Sequence, residues 1–300
     1  MEKSSLTNRC SGIARVVQLC AARCAPFIAH NWPTHAMPLT EALEELKEDM
    51  YEDHPSFIQP ESEKVKVWRY MDFTKFVSLL ESRKLYFTRA DKFEDPFEGS
   101  LPKLNVEKRD IAPDGLPDDL KRVYPQVSRS MAEVTMNLPR YTAINCWHMN
   151  EHESASMWKL YLKSDEGIAI QSTYSSLKSC FIDEERIYLG IVKYIDYDRE
   201  YFDPSNHYNP FVHKRKSFQH EKEVRALVRR SLVVDNDFDF SKETINHGLK
   251  IEIDIETLIQ SIYVAPNAHE WFVELVEATV ERYGYTFQVA HSKLDETPLF

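Results

Sequence analysis

Glycine is scarce: seven in 300 residues, at Gly12, Gly99, Gly115, Gly167, Gly190, Gly248 and Gly284. No two stand close enough to build G-x-G-x-x-G, and none opens G-x-x-x-x-G-K. The Rossmann dinucleotide turn and the P-loop both need glycine where backbone meets phosphate, so both are excluded. A nucleotide bound here is bound some other way. Cysteine is sparse too. Of five, Cys10, Cys20 and Cys24 fall in the first 36 residues, leaving Cys146 and Cys180 for the body. That count excludes a disulfide framework and points to a reducing cytoplasm. No apolar run approaches the roughly 18 residues a membrane span requires. No fixed-period self-similarity is present, which excludes repeat arrays.

The charge balance is acidic, 37 Lys+Arg against 48 Asp+Glu. Residues 1–36 run the other way, with Lys3, Arg9, Arg15 and Arg23 against Glu2. The body is more acidic than the whole, and it repels a phosphate backbone, so non-specific nucleic-acid binding is not expected. The tail has three readings. Arg15 and Arg23 break the apolar region of a signal peptide; an acid-poor, Arg-bearing tail suits an organellar transit peptide; or Met37 is the natural start. The tail is left out of the expected fold in each case. Residues 37–60 are expected as a helix over 40–47, with Thr40 as N-cap, and a linker marked by Pro55 and Pro60. Residues 61–300 are expected as one domain.

Within that domain, 65–73, 85–88, 141–147, 167–172, 186–195, 224–229, 249–255, 261–265 and 286–291 read as strands. Residues 74–81, 155–162, 174–180, 213–220 and 270–283 read as helices. The polar, proline-marked stretch 102–139 reads as helices wrapped around the body, or a lid. Strands and helices mix without strict alternation. The expected fold class is therefore α+β, a single domain with a mixed, largely antiparallel sheet and peripheral helices. On the helix 155–162, Met157, Leu160 and Tyr161 recur at core spacing, and Trp158 and Leu162 extend that apolar face.

Three constellations carry candidate chemistry. His148-Met149-Asn150-Glu151-His152 matches H-x-x-E-H, an inverted zincin pattern. The segment follows directly on a strand, however, and the next helix starts only near Ser154. The i, i+4 logic of a helical metal site fails in a turn, and no metal ligand is expected. The second is the basic stretch 213–230, with seven Lys and Arg around Glu221 and Glu223. If 221–229 is extended, Glu223, Arg225 and Leu227 share one face, and Val224, Ala226 and Val228 the other. Cross-strand ion pairing on a solvated face explains such a pattern, and so does an anion site with a guarded carboxylate. The third is Trp68-Arg69-Tyr70 and Lys84-Leu85-Tyr86-Phe87, leading to Asp95-Pro96-Phe97-Glu98. Rings beside guanidinium hold a flat cation or a base, or merely pack a sheet on a helix.

These motifs occur in an order with a known counterpart. Trp68-Arg69-Tyr70, Lys84-Leu85-Tyr86-Phe87, Asp95-Pro96-Phe97-Glu98, Met157-Trp158-Lys159-Leu160-Tyr161, Glu166-Gly167-Ile168-Ala169-Ile170 and His220-Glu221-Lys222-Glu223-Val224-Arg225 follow one another. The succession resembles the bacterial domain-of-unknown-function family 2971 from about residue 65 to the C-terminus, a family with no settled activity. More distantly, the order Arg69, Tyr86, Glu223 resembles the ADP-ribosyltransferases, especially the toxin type that modifies DNA, and Glu221-x-Glu223 is similar to their paired-Glu site. That resemblance implies NAD as co-substrate, with Glu223 and Glu221 catalytic and Arg69, Tyr86, Tyr161 and Arg225 binding the cofactor. Arg69 and Arg225 would meet the pyrophosphate, and Tyr86 or Tyr161 would stack the nicotinamide. It implies a setting in phage defence or toxin–antitoxin biology. Two other classes stand beside it: a non-enzymatic module binding a nucleotide or a protein, and a zinc-dependent hydrolase through His148, Glu151 and His152.

Overall fold

The computed structural model describes residues 54–298, apart from 113, 114, 116, 163, 164, 184, 204, 205, 231, 232, 235, 236 and 239. The basic tail 1–36 and the helix expected over 40–47 lie outside the described residues. The strands are β1 (Lys66–Asp72), β2 (Lys84–Arg89), β3 (Thr142–Met149), β4 (Gly167–Thr173), β5 (Ile187–Ile191), β6 (Lys193–Ile195), β7 (His213–Arg215), β8 (Glu223–Arg229), β9 (Val233–Val234), β10 (Asp237–Phe238), β11 (Gly248–Glu252), β12 (Ser261–Val264) and β13 (Gln288–His291). The helices are α1 (Phe73–Ser82), α2 (Lys103–Lys108), α3 (Asp118–Asn137), α4 (Ala155–Tyr161), α5 (Tyr174–Ser179), α6 (Asn209–Val212), α7 (Ile255–Leu258) and α8 (Glu270–Arg282). Among the described residues no helix is long and apolar enough to cross a membrane.

The fold is α+β around one large sheet, and within that sheet the pairing is antiparallel except between β12 and β13. Strand β3 organises it. One edge of β3 pairs with β8 along its length, from Thr142↔Arg229 to His148↔Glu223, and β5 follows on β8. The other edge is shared. β2 takes Ala143 and Ile144, while β1 takes His148 and Met149. β11 extends the first branch; β4, β12 and β13 extend the second. The sheet therefore forks, and residues 145–147 of β3 face the gap between the branches. One face packs the main core, with Phe76 and Leu80 of α1, Leu177 of α5 and Val276 of α8 against Val67, Phe87, Ile168 and Val224. The other packs a smaller core of Ile144, Leu227, Phe211 and Tyr141.

Several sequence expectations are corrected. Residues 213–220 are not an α-helix: β7 pairs β6 in parallel, and a 3-10 turn, Lys216–Glu221, follows. The side chain of Lys214 on β7 is claimed by Glu221 and Glu223. The pairing of β7 with β6 overrides helix propensity there. The strand expected over 186–195 is broken at Val192, whose N–H donates to the carbonyl of Glu223, so its two halves join different sheets. Thr74 does not cap α1; Asp72 occupies that position without a side-chain bond. Residues 55–60 lie on the body, with Phe57 buried and Ile58 bridging Ile191.

On α4 the apolar face is narrower than its spacing predicts. Ser154 caps it by accepting from the N–H of Met157, and Met157 and Trp158 are buried, but Leu160 and Tyr161 are exposed. Only one side of this short helix meets the sheet. Trp158, 3% exposed, stands edge-on to Tyr70 at 4.9 Å, and its indole N–H donates to Glu153 at 2.9 Å. Trp158→Ala is expected to cost about 3–5 kcal/mol, because it removes a large ring from a packed core. Urea unfolding measures this, and an unchanged midpoint would show that the ring is dispensable.

Candidate active site

The site grows from β8. Its alternation places Glu223, Arg225 and Leu227 on one face, beside His148, Cys146 and Ile144 of β3. The expectation that Glu223 and Arg225 share a face holds, but they do not reach open solvent. Glu223 is 4% exposed and Arg225 is fully buried. Arg225 donates Nε–H to Glu223 at 2.6 Å and grips both oxygens of Glu98 at 2.6 and 2.9 Å. Its Nη1 also donates to the carbonyl of Phe211 at 2.7 Å. Most of the five N–H donors of this guanidinium are thus engaged inside the protein.

Lys214 completes the cluster. Its ammonium bridges Glu221 and Glu223, at 2.5 Å from the second. Glu221 is not on the strand. It ends the 3-10 turn Lys216–Glu221, and Lys222 then adopts a left-handed conformation with φ of 41°. A non-glycine residue in that region costs free energy, and such strain gathers at functional sites. Here the reversal brings two carboxylates to one lysine. The N–H of Glu223 donates to the hydroxyl of Tyr194 at 2.8 Å.

Glu98 and Lys214 carry signals that sequence reading missed. Asp95-Pro96 reads as a plain turn, yet that turn delivers Glu98 to Arg225 and Asp95 to Arg215, at 2.7 Å for the latter. Asp95 accepts from the N–H of Phe97 at 3.0 Å, an Asx turn, and Gly99 closes it with φ of +72°. A β-carbon at Gly99 would lie 2.7 Å from the ring of Phe211, so the turn approaches too closely for any other residue.

The charges explain the protonation states. Burial pushes the Glu223 carboxyl up, but Arg225, Glu221 and Lys214 together outweigh it and hold it well below the ordinary carboxylate range. Burial pushes Glu221 up, and its neighbour Glu223 pushes further, to about 7. Three carboxylates face two cations, so the cluster is neutral with one proton on a carboxyl; burial raises Glu98 as well as Glu221.

A pH dependence of stability follows from Glu221. Its folded value exceeds its unfolded one, so the folded chain holds a proton that the unfolded chain has released. The resulting stability is complete below the ordinary carboxylate range and is lost as pH rises through about 7. Glu223 acts in the opposite sense at far lower pH. His54, His148, His207 and His213, held below their ordinary values by burial, act in the opposite sense in the same window, so the Glu221 contribution is read as the parent minus Glu221→Gln. That difference is expected to fall from pH 5 to 7.5, and a difference that rises or stays flat would contradict the assignment.

Arg69 comes from β1. Its Nη1 crosses the fork to donate to the carbonyl of Cys146 at 2.7 Å, and its guanidinium stands 5.8 Å from the ring of Trp147. Among the described residues no carboxylate pairs with Arg69, although Arg89, Arg215, Arg225 and Arg230 each have one. Tyr161, at the end of α4, is 44% exposed. Burial of its hydroxyl raises the phenol pKa; Cys146, Glu223 and Glu221 raise it further, and Arg69 opposes them. One phenol thus lies within electrostatic reach of the two glutamates and the unpaired arginine. Tyr86 lies on β2, on the face of Ile144 and Cys146, 43% exposed, with its ring over Gly248. No hydrogen bond joins it to Glu223, Tyr161 or Arg69.

His148, Glu151 and His152 do not converge. His148 lies in β3 rather than in a turn, and its Nδ1 is 2.6 Å from the carbonyl of Glu221. Glu151 pairs with Lys66 at 3.0 Å. Among the described residues no three His, Cys, Asp or Glu side chains gather as a metal-binding group.

No family model matches the chain, so the resemblance to family 2971 does not become an assignment. No curated protein matches it either. Among solved structures, DarT of Thermus sp. 2.9 in complex with NAD+ is similar at 10% identity and a TM-score of 0.35, over 78% of this chain and 98% of that one. DarT in complex with ADP-ribosylated single-stranded DNA is similar at 10% identity and a TM-score of 0.34, over 79% of this chain and 97% of that one.

Proposed function

We propose that this chain uses NAD and breaks its nicotinamide–ribose bond, as an ADP-ribosyltransferase or an NAD-cleaving enzyme, with Glu223 at the reacting centre. One observation supports this reading above the others. The Tyr161 phenol lies within electrostatic reach both of an arginine without a carboxylate partner among the described residues and of a pair of glutamates that share one lysine. An anionic ligand with a group that turns cationic during reaction meets both needs.

The chemistry runs as follows. The glycosidic bond breaks heterolytically, and nicotinamide leaves with the bonding pair. The ribosyl carbon becomes oxocarbenium-like, and a fixed carboxylate stabilises that charge as it develops. Glu223 is fixed because Lys214 and Arg225 each hold one of its oxygens. Each oxygen keeps a second lone pair for a ribose hydroxyl. Water or an acceptor nucleophile then attacks the carbon and gives its proton to ionised Glu221. Arg69 meets the pyrophosphate, and Tyr161 or Tyr86 covers the nicotinamide. Arg225 positions Glu223 in this reading, because most of its donors are already engaged. The bacterial setting implied by the sequence resemblance is toxin–antitoxin or phage-defence biology.

A second reading has its own support. Both Glu223 oxygens are occupied by cations, which suits a module that binds a nucleotide without cleaving it. Incubation with NAD, read as nicotinamide release and as calorimetric binding, separates the two. Binding with release supports the enzyme, binding without release the module, and neither ends both.

A further inference from the structure

Six residues beyond Glu223 on β8, about 20 Å along the strand, Arg229 lies in a nest of rings. Its guanidinium carbon is 4.0 Å from the ring centroid of Tyr208 and 5.2 Å from that of Phe211. Nη2 donates to the carbonyl of His207 at 2.9 Å, and Nε to Oγ1 of Thr142 at 3.4 Å. His54 stands edge-on to Tyr208 at 4.7 Å, and Tyr188 lies 4.8 Å from Tyr208. His54, Tyr188, His207, Tyr208 and Arg229 are all partly open to solvent.

Among the described residues the nest carries positive charge and no compensating negative charge. Among the described residues no carboxylate pairs with Arg229, whereas the next residue, Arg230, pairs with Glu185. Arg186 adds a second cation near the Tyr208 hydroxyl. Burial pulls Arg229 down to about 10, with Tyr208 and Tyr188 opposing. Burial lowers His54 and His207, and the charge of Arg229 lowers both further. Both are therefore neutral at pH 7, each with one ring N–H to give. A partly desolvated guanidinium without a counter-ion is costly, and an anion removes that cost. The planar fork of arginine suits phosphate, and the surrounding rings suit a flat group attached to it.

We infer that Arg229, with His54, His207 and Tyr208, forms a binding site for the phosphate of a nucleoside monophosphate, separate from the Glu221–Glu223 pair. The site stands whether or not NAD is cleaved at Glu223.

The test titrates the full chain with AMP, and separately with inorganic phosphate, at constant ionic strength. Calorimetry and the histidine proton resonances are followed together. Saturable AMP binding is expected, with His54 and His207 titrating at higher pH once the site is filled, because the anion cancels the charge of Arg229. Arg229→Gln should weaken binding by about tenfold or more, and Arg229→Lys should retain part of it. Arg69→Gln should leave AMP binding intact, which separates this site from the NAD site. Three results would overturn the inference: no saturation by either anion, histidines unmoved in the parent, or AMP binding lost in Arg69→Gln and kept in Arg229→Gln. The parent histidines decide the matter should Arg229→Gln fail to fold.

Discussion

Arg225→Met is expected to lower the unfolding free energy by about 3–5 kcal/mol, the usual cost of breaking a buried ion pair from one side. The fully buried guanidinium holds Glu98, Glu223 and the carbonyl of Phe211. Without it, three buried carboxylates, Glu98, Glu221 and Glu223, face Lys214 alone, and the Phe211 carbonyl loses a donor. The shape of the side chain is largely kept, so the loss reports charge and hydrogen bonding rather than a cavity. Adding Glu98→Gln to the same chain should recover part of the loss, because it removes one of the stranded charges. Urea unfolding at pH 7 measures both. A loss below about 1 kcal/mol would place this network in the class of surface ion pairs.

Glu223→Gln is expected to cut nicotinamide release by about a hundredfold or more, with NAD affinity little changed. The amide keeps the size and hydrogen-bonding reach of the carboxylate but not its charge. It therefore loses what is needed as positive charge develops and keeps most of what is needed for binding. Glu221→Gln should be milder, because Glu221 carries a proton near neutral pH and its charge is available only in part. The comparison needs both variants and the parent, with calorimetry for affinity and chromatography for released nicotinamide. Equal turnover in the parent and Glu223→Gln would remove Glu223 from the reacting centre. The stability of each variant is measured alongside, since Glu223 also neutralises Lys214 and Arg225.

The sequence made the strands of the main sheet legible because their β-branched and aromatic runs are bounded by turn residues. The antiparallel character followed from the lack of strict alternation. The shared face of Glu223 and Arg225 followed from period two, and that period is borne out in β8. What pattern could not give was burial. A polar face carrying Glu and Arg looks solvated unless one knows that Asp95-Pro96 turns Glu98 inward onto it. The partner arrives from 127 residues away, and no local periodicity encodes that. The segment 213–220 failed for a related reason. Its local composition suits a helix, while the pairing of β7 with β6 decides a strand.

The forked edge of β3 bears on how the chain can fold as it is made. Among the described residues, β1 pairs only with β3 and β4, and β2 only with β3 and β11. Every one of those partners lies later in the chain than β1 and β2. While residues 66–141 leave the ribosome, neither strand has yet met a mate among the described strands. Pairing starts when β3 emerges, and β8, which covers the other edge, comes later still. Such non-local order slows folding and lengthens the exposure of aggregation-prone edges. The helices α1, α2 and α3, all of which precede β3, can close their own hydrogen bonds during the wait.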